Sequence, residues 1–421
     1  MDRRSFLRHA VVSSLGGVSM FADPLRLSFR SARADGLPAR TLVVIFQRGG
    51  CDGHNTVVPY GDDAYYAARG DSIAIPAPGS GSAREALDLD GFFAFHPSMQ
   101  PLHDLYVAGR VAVLPTVHFA TATGSHFENQ TILESGAETA LADGWLNRYL
   151  GATAGAGPIR GITMGTGIAQ SLMGEAKVTA LSNLAEVGYR VPAEVEGSDL
   201  ARWIEGAYAF EPGMDTSANL ARLLDQGRVM LEDVELLGDI DVEGYVPENG
   251  AVYPDSDFGT QLRSIAQLIK EGAGLEVAAL DLGNWDFHEA EGGAEPEGNQ
   301  SQALEHFTSG IGALSRDLQA RLDDVMILTM TEFGRTLHVN GGNGTDHGRA
   351  GSWFVIGGGA RSGVYGEWPG LAGDRLIDGR YLAYTVDYRD VFGEILRRHL
   401  RVADLATILP GHRYRPLGFI S

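Results

Sequence analysis

Uninterrupted apolar, β-branched runs recur along this chain, each bounded by glycine and polar residues. They are Thr41–Gln47 (TLVVIFQ), Val111–Thr116 (VAVLPT), Val277–Leu282 (VAALDL), Val325–Thr331 (VMILTMT) and Trp353–Gly358 (WFVIGG). A run that is apolar at every position, not at every second one, reads as a parallel strand buried on both faces. A different period lies between them. From Ser301 to Leu322 the apolar residues Leu304, Phe307, Ile311, Leu314, Leu318 and Leu322 form one 3.6-residue stripe, and Phe258–Lys270 and Val391–Leu400 read the same way. Strand–helix alternation predicts an α/β fold, a doubly wound and mostly parallel sheet flanked by helices. Ligands of such sheets bind beyond the carboxyl ends of the strands.

The stretch 157–253 breaks the pattern. GITMGTGIAQSLMGEAKVTALSN holds two short candidate strands, and Thr216–Ile240 reads as a long acidic helix. The expectation is an insertion or cap over one side of the sheet, within a single domain spanning 35–421.

Composition narrows the function classes. The 421 residues include 54 acidic and 33 basic side chains, a net charge of −21, which repels nucleic acid and anionic membranes. One cysteine, Cys51, excludes an intrachain disulfide and a thiolate cluster, and reads as a buried small hydrophobe. At the N-terminus Arg3-Arg4 precede Ser5-Phe6-Leu7 and a short apolar run from Ala10 to Ala22, too rich in Ser and Gly to form a stable membrane anchor. The segment resembles a bacterial twin-arginine signal, with small residues Ala32 and Ala34 before a cleavage point at Asp35. A periplasmic or secreted protein follows from that reading. Removing 1–34, with its six Arg and two Asp, makes the mature chain more acidic still.

Polar residues collect beside the strand ends. Asp52 follows the first run, Ser125 and His126 the second, Asp286 and His288 the third, and Glu332 and Arg335 the fourth; Asp346 and His347 precede the fifth. Asp286 and His288, two apart, share a face if the backbone stays extended. Crowded carboxylates need a compensating charge, and imidazole with carboxylate suits one or two divalent metal ions: Zn, Mn, Fe or Ca. Ser125 opens a helix with Glu128 three residues on, a capping box whose free N–H groups also suit an anion. Capping and attack on an ester both remain open for it. Asp52 capping a turn and Glu332 pairing with Arg335 are the plainer alternatives. His54 and His126 adjoin site residues without an assigned role; His96, His399 and His412 read as structural.

RRSFL, RGGCDGHNTVVP, SHFENQ, WDFH, TEFGRT and GTDHG, in this order, resemble the bacterial secreted family labelled domain of unknown function 1501. That family is grouped with the alkaline phosphatase, sulfatase and cofactor-independent phosphoglycerate mutase superfamily. The resemblance implies an α/β sheet, two metal ions and a hydroxyl nucleophile. Asp52 then matches the first metal aspartate and Ser125 the nucleophile. Asp286 and His288 match the Asp and His of the other metal, which the superfamily usually spaces more widely. Its Asp-His-Gly appears as Glu332-Phe333-Gly334, without the histidine, and His347 matches its final histidine ligand. One site (Asp286, His288, His347) is complete and the other (Asp52, Ser125, Glu332) lacks an imidazole; a rival alignment sets Asp346-His347 on Asp-His-Gly. The implied function is a metal-dependent hydrolase of small phosphate or sulfate esters, with Arg335 steadying the anion. The alternative is a non-catalytic exported binding or assembly protein with a protein partner.

Overall fold

Strand β1 (Thr41–Gln47) is buried along its whole length, as a run without alternation requires. In the computed structural model, which describes residues 40–155, 157–187, 206, 224, 227, 231–234 and 236–421, it lies inside a nine-stranded sheet. The others are β2 (Val111–His118), β3 (Gly161–Met164), β4 (Thr179–Leu181), β5 (Val277–Leu282), β6 (Val325–Met330), β7 (Gly351–Gly357), β8 (Gly363–Val364) and β9 (Val386–Asp387). Their order is β8-β2-β7-β6-β1-β5-β3-β4, with β9 also on β2.

Pairing is parallel from β6 through β4, and β8 and β9 run parallel to β2. β7 corrects the expectation of five parallel strands: it runs antiparallel to both β2 and β6. A parallel return needs a crossover, usually a helix. The chain between Met330 and Gly351 contains none and turns back beside β6.

The longer helices among the described residues are α1 (Asp63–Ile73), α2 (Gln100–Val107), α3 (His126–Ser135), α4 (Trp145–Ala152), α5 (Asp257–Glu271), α6 (Asn299–Asp317) and α7 (Tyr388–Glu394). Leu42, Val44 and Phe46 share one core with Leu133 of α3, Trp145 and Tyr149 of α4 and Phe392 of α7. Alternation turns Val43 and Ile45 to the other face, where α6 packs on α2 and α5, and these reach β2 and β5. α5 begins where Ser256 accepts the Gly259 N–H and ends at Gly272 with φ 70°. The Val391–Leu400 stripe is shorter as α-helix, because α7 passes into a π-helical turn at Ile395–His399.

Both short strands expected after Gly157 exist, but they extend the sheet beyond β5 instead of covering its face. The described residues up to Asn183 and from Val242 to Ser421 form one compact unit. The expected signal segment 1–34 and most of the helix expected over Thr216–Ile240 lie outside the described residues; 231–234 and 236–238 are helical. No helix among the described residues is long and apolar enough to cross a membrane.

Candidate functional site

Four segments meet at the carboxyl edge of the parallel strands. The one after β2 is fixed by buried Asn129, whose amide takes the Thr123 N–H at 2.9 Å and gives to its carbonyl at 2.7 Å. Ser125 then caps α3, accepting from the Glu128 N–H at 3.5 Å while Thr123 Oγ1 donates to Glu128 at 2.7 Å. His126 is the first residue of the helix.

After β5 the backbone leaves the strand, with Asn284 at φ 68°, so Asp286 and His288 do not share a strand face as the sequence suggested. They still meet: His288 Nε2 lies 3.0 Å from Asp286 Oδ1. The segments around β6 and β7 join through an antiparallel bridge between Arg335 and His347.

Three imidazoles converge on Asp286. His347 Nε2 is 3.3 Å from Oδ1 and 3.0 Å from His288 Nε2, and His126 Nε2 is 3.6 Å from Oδ2. Ligand atoms of His126, Asp286 and His347 all lie within 4.8 Å of one another. Every Nδ1 is spoken for by an acceptor: His126 by Glu332 Oε1 at 2.7 Å, His347 by the Gly124 carbonyl at 2.9 Å, His288 by Asp346 Oδ1 at 3.2 Å. Carboxylates and carbonyls only accept, which favours a proton on each Nδ1 and turns Nε2 inward to Asp286, where a carboxylate oxygen calls for either a metal ion or a second proton between them. Two lone pairs 3.0 Å apart repel unless a cation or proton lies between them. Donors on a tetrahedral zinc ion are spaced about 3.3 Å apart, from bonds of about 2.0–2.1 Å. The donor set therefore fits a divalent metal ion, and imidazoles oriented by outer oxygens are the usual support of one.

The electrostatics agree. Burial pulls the His347 pKa below the ordinary value, keeping the ring neutral. The Glu332 hydrogen bond, against burial, raises that of His126. Burial would raise the Asp286 carboxyl, but the Arg335 hydrogen bond and charge outweigh it and hold it ionised. Hydrogen bonds from Asn340 and then His288 lower Asp346.

The remaining sequence candidates stand around this centre. Glu332, fully buried, accepts at Oε1 from His126, Gln130 Nε2 (2.8 Å) and Gly49 N (2.9 Å), and so orients a histidine instead of facing the cluster. Arg335, 1% exposed, donates to the carbonyls of Gly49, Gly50 (2.5 Å), Trp285 (3.1 Å) and Thr345 (3.0 Å), and to Asp286 Oδ1 (2.6 Å). A guanidinium so enclosed braces the loops; it does not reach out to steady a ligand anion. Asp52 caps the turn at His54 and is held by Arg69 at 2.5 and 2.9 Å, outside the converging ligand atoms. Asp346 orients His288 and also meets Asn340 at 3.1 Å.

Two features of the cluster were given no positive role by the sequence. His126 belongs to the converging set, and its only sequence signal was its place beside Ser125 at a helix start. Phe333 is a buried floor beneath His126 and His347, with ring centroids at 4.8 and 4.7 Å. Gly50 makes room for it: at φ 71° a Cβ there would lie 2.4 Å from the Phe333 ring.

Comparison with known proteins adds the following. Solved structures similar to this chain include a phosphonate monoester hydrolase of Agrobacterium radiobacter (12% identity, 90% of this chain and 79% of that one, TM-score 0.36). Another is a phosphonate monoester hydrolase from Silicibacter pomeroyi (11%, 90% and 76%, TM-score 0.41). A third is a protein in the alkaline phosphatase superfamily from Vibrio parahaemolyticus (11%, 94% and 74%, TM-score 0.35). No curated protein matches the chain. The family model described as "Protein of unknown function (DUF1501)" matches residues 125–411, from Ser125 through His347 and beyond, and the chain belongs to that family.

Proposed function

We propose that His126, His288, His347 and Asp286 hold one divalent metal ion, and that the protein hydrolyses a small anionic ester of the phosphate or sulfate class. The observation that carries the metal reading is the set of three Nδ1 atoms each committed to an oxygen, with Nε2 atoms brought to 3.0–3.6 Å of the Asp286 carboxylate or of each other. Three imidazoles to one carboxylate favour Zn, Fe or Mn over Ca, which takes oxygen ligands.

A bound divalent ion supplies Lewis acidity and a more acidic water at neutral pH. The chain's own residues do the rest. Glu332, Asp346 and the Gly124 carbonyl fix the ring orientations. Phe333 keeps water from beneath two of the rings. Ser125 stands at the N-terminus of α3, where the helix dipole favours an anion, and its hydroxyl is the candidate nucleophile.

A second reading, a metal-bearing exported binding protein without turnover, is favoured by the enclosure of Arg335, which leaves the anion without that guanidinium. Metal analysis joined to hydrolysis assays on aryl phosphates and aryl sulfates separates the two. Stoichiometric metal in wild type, lost in His288→Ala, His347→Ala, supports the centre; no metal after repletion sinks it. Metal with no turnover on either ester class selects the binding protein. Export by the twin-arginine route is a further part of the proposal, and it fails if an Arg3→Lys, Arg4→Lys precursor is exported normally.

A further inference from the structure

Behind the metal-ligating group lies a second set of ionisable side chains that the proposed chemistry does not use. Asp52 and Glu291 are 2% and 0% exposed, and burial, then the Asp52 charge, push the Glu291 carboxyl pKa well up. Arg69, equally buried, places NH1 2.5 Å from Asp52 Oδ2 and NH2 2.9 Å from Oδ1. His54 beside them supplies no second cation, because burial first and Arg69 second push its pKa to about 4. The buried Cys51 thiol is pushed up and stays neutral too. Two carboxyls therefore face one guanidinium. Two neighbouring carboxylates in a dry interior disfavour ionisation of both. Glu291 Oε1, moreover, finds no donor among the described residues. A proton on Glu291 resolves both problems, while Oε2 accepts the Thr345 hydroxyl at 2.7 Å.

We propose that Glu291, whose Oε2 accepts the Thr345 hydroxyl, is the positioning residue for the turn that presents Asp346 and His347. The path is short. The Thr345 N–H donates to the Phe287 carbonyl at 3.1 Å, and its carbonyl accepts from Arg335 at 3.0 Å. The Glu291 N–H donates to Asn343 O at 3.0 Å and the Ala290 N–H to Gly342 O at 2.9 Å. The acid thus locks the segment bearing Asp286 and His288 to the turn bearing His347. Only its consequence for metal affinity rests on the metal-centre reading; the locking of the turn does not.

Three variants test it. In Glu291→Gln the amide oxygen still accepts from Thr345. Glu291→Leu removes that bond. Thr345→Val keeps the acid pair and cuts only its link to the turn, which serves if the Leu variant fails to fold. Infrared spectra of the wild type at neutral pH are expected to show the carbonyl stretch of a buried carboxylic acid that the Gln variant lacks. Amide exchange over Asn340–Gly348 is expected to stay slow in the Gln variant and to rise roughly tenfold or more in the Leu and Val variants. Zinc affinity, read by chelator competition, should hold in the Gln variant and fall roughly 10- to 100-fold in the other two. Absence of the acid band, or equal exchange in all four proteins, overturns the proposal. A wild type that binds no zinc yet shows the band and the exchange difference overturns the metal centre and upholds the positioning role.

Discussion

Glu332→Gln is the sharpest perturbation of the centre, because it alters one charge and almost no volume. Glu332 Oε1 accepts from His126 Nδ1 at 2.7 Å, Gln130 Nε2 at 2.8 Å and Gly49 N at 2.9 Å, and Thr331 Oγ1 donates to Oε2 at 3.2 Å. A glutamine oxygen can keep the first three bonds, and the Thr331 hydroxyl can turn to accept the new N–H. What is lost is charge assistance. A hydrogen bond to a charged group contributes about 1.5–3 kcal/mol and a neutral one about 0.5–1.5, so His126 loses about 1–1.5 kcal/mol of orientation. That is roughly tenfold in metal affinity, at the low end of what outer-sphere partners contribute.

The pH dependence gives the test its second edge. The Glu332 hydrogen bond raises the His126 pKa against the pull of burial. Metal binding requires the neutral ring, so affinity is full above that raised value and falls as pH drops through it. In the Gln variant the pKa slips back, and the fall moves to lower pH. The metal-free protein behaves oppositely: a raised histidine pKa adds stability below the unfolded value, about 6.5, and loses it as pH rises through the folded one. The variant lacks that contribution. Zinc competition titrations over a pH series, with circular dichroism to check folding, read both effects. Unchanged affinity together with an unchanged pH midpoint would falsify the role assigned to Glu332.

Other predictions concern the surroundings. Arg69→Met leaves the buried Asp52 charge unpaired and is expected to cost about 3–5 kcal/mol in urea unfolding; a loss under 1 kcal/mol refutes the pairing. Burial lowers the pKa of His54 and of His96 to about 4 and that of His118 to about 3. The unfolded chain therefore takes up protons from about pH 6.5 downward while these folded rings do not. Stability is full above that pH and declines as pH falls toward the folded values, by about 1.4 kcal/mol per pH unit per ring; equal unfolding midpoints at pH 7 and 5 would contradict this. Ser125→Ala removes a cap worth about 1 kcal/mol. Turnover retained at the wild-type rate confines Ser125 to capping, and turnover abolished with metal still bound makes it the nucleophile.

The fold was legible because its signals are local. β1 and β5 begin and end where the apolar runs do, and α5 lies within a residue of its stripe. The direction of β7 was not legible, since apolar content does not encode strand polarity. The site was legible in part. Asp286, His288 and His347 announced themselves by residue type at strand ends. His126 did not, because what aims it is Glu332, 206 residues away. The Arg335 enclosure was hidden likewise: its acceptors are main-chain carbonyls of Gly49, Gly50, Trp285 and Thr345, which no side-chain pattern reports.

The reversal of β7 is also what brings the candidate ligands together. In a wholly parallel sheet, residues that precede a strand lie at its amino edge, opposite those that follow one. Asp346 and His347 precede β7 and would then sit a strand's length from Asp286. Because the chain lacks a crossover helix after Met330, β7 starts at the carboxyl edge, with Gly351 beside Val117 near the end of β2. That brings His347 to the Gly124 carbonyl at 2.9 Å and to His288 at 3.0 Å. The three histidines thus come from the start of a helix after β2, an irregular segment after β5 and a turn before β7, while Glu332 after β6 orients the first. A helix inserted between Gly334 and Gly348 would restore a conventional parallel crossover and, by the same geometry, dismantle the site.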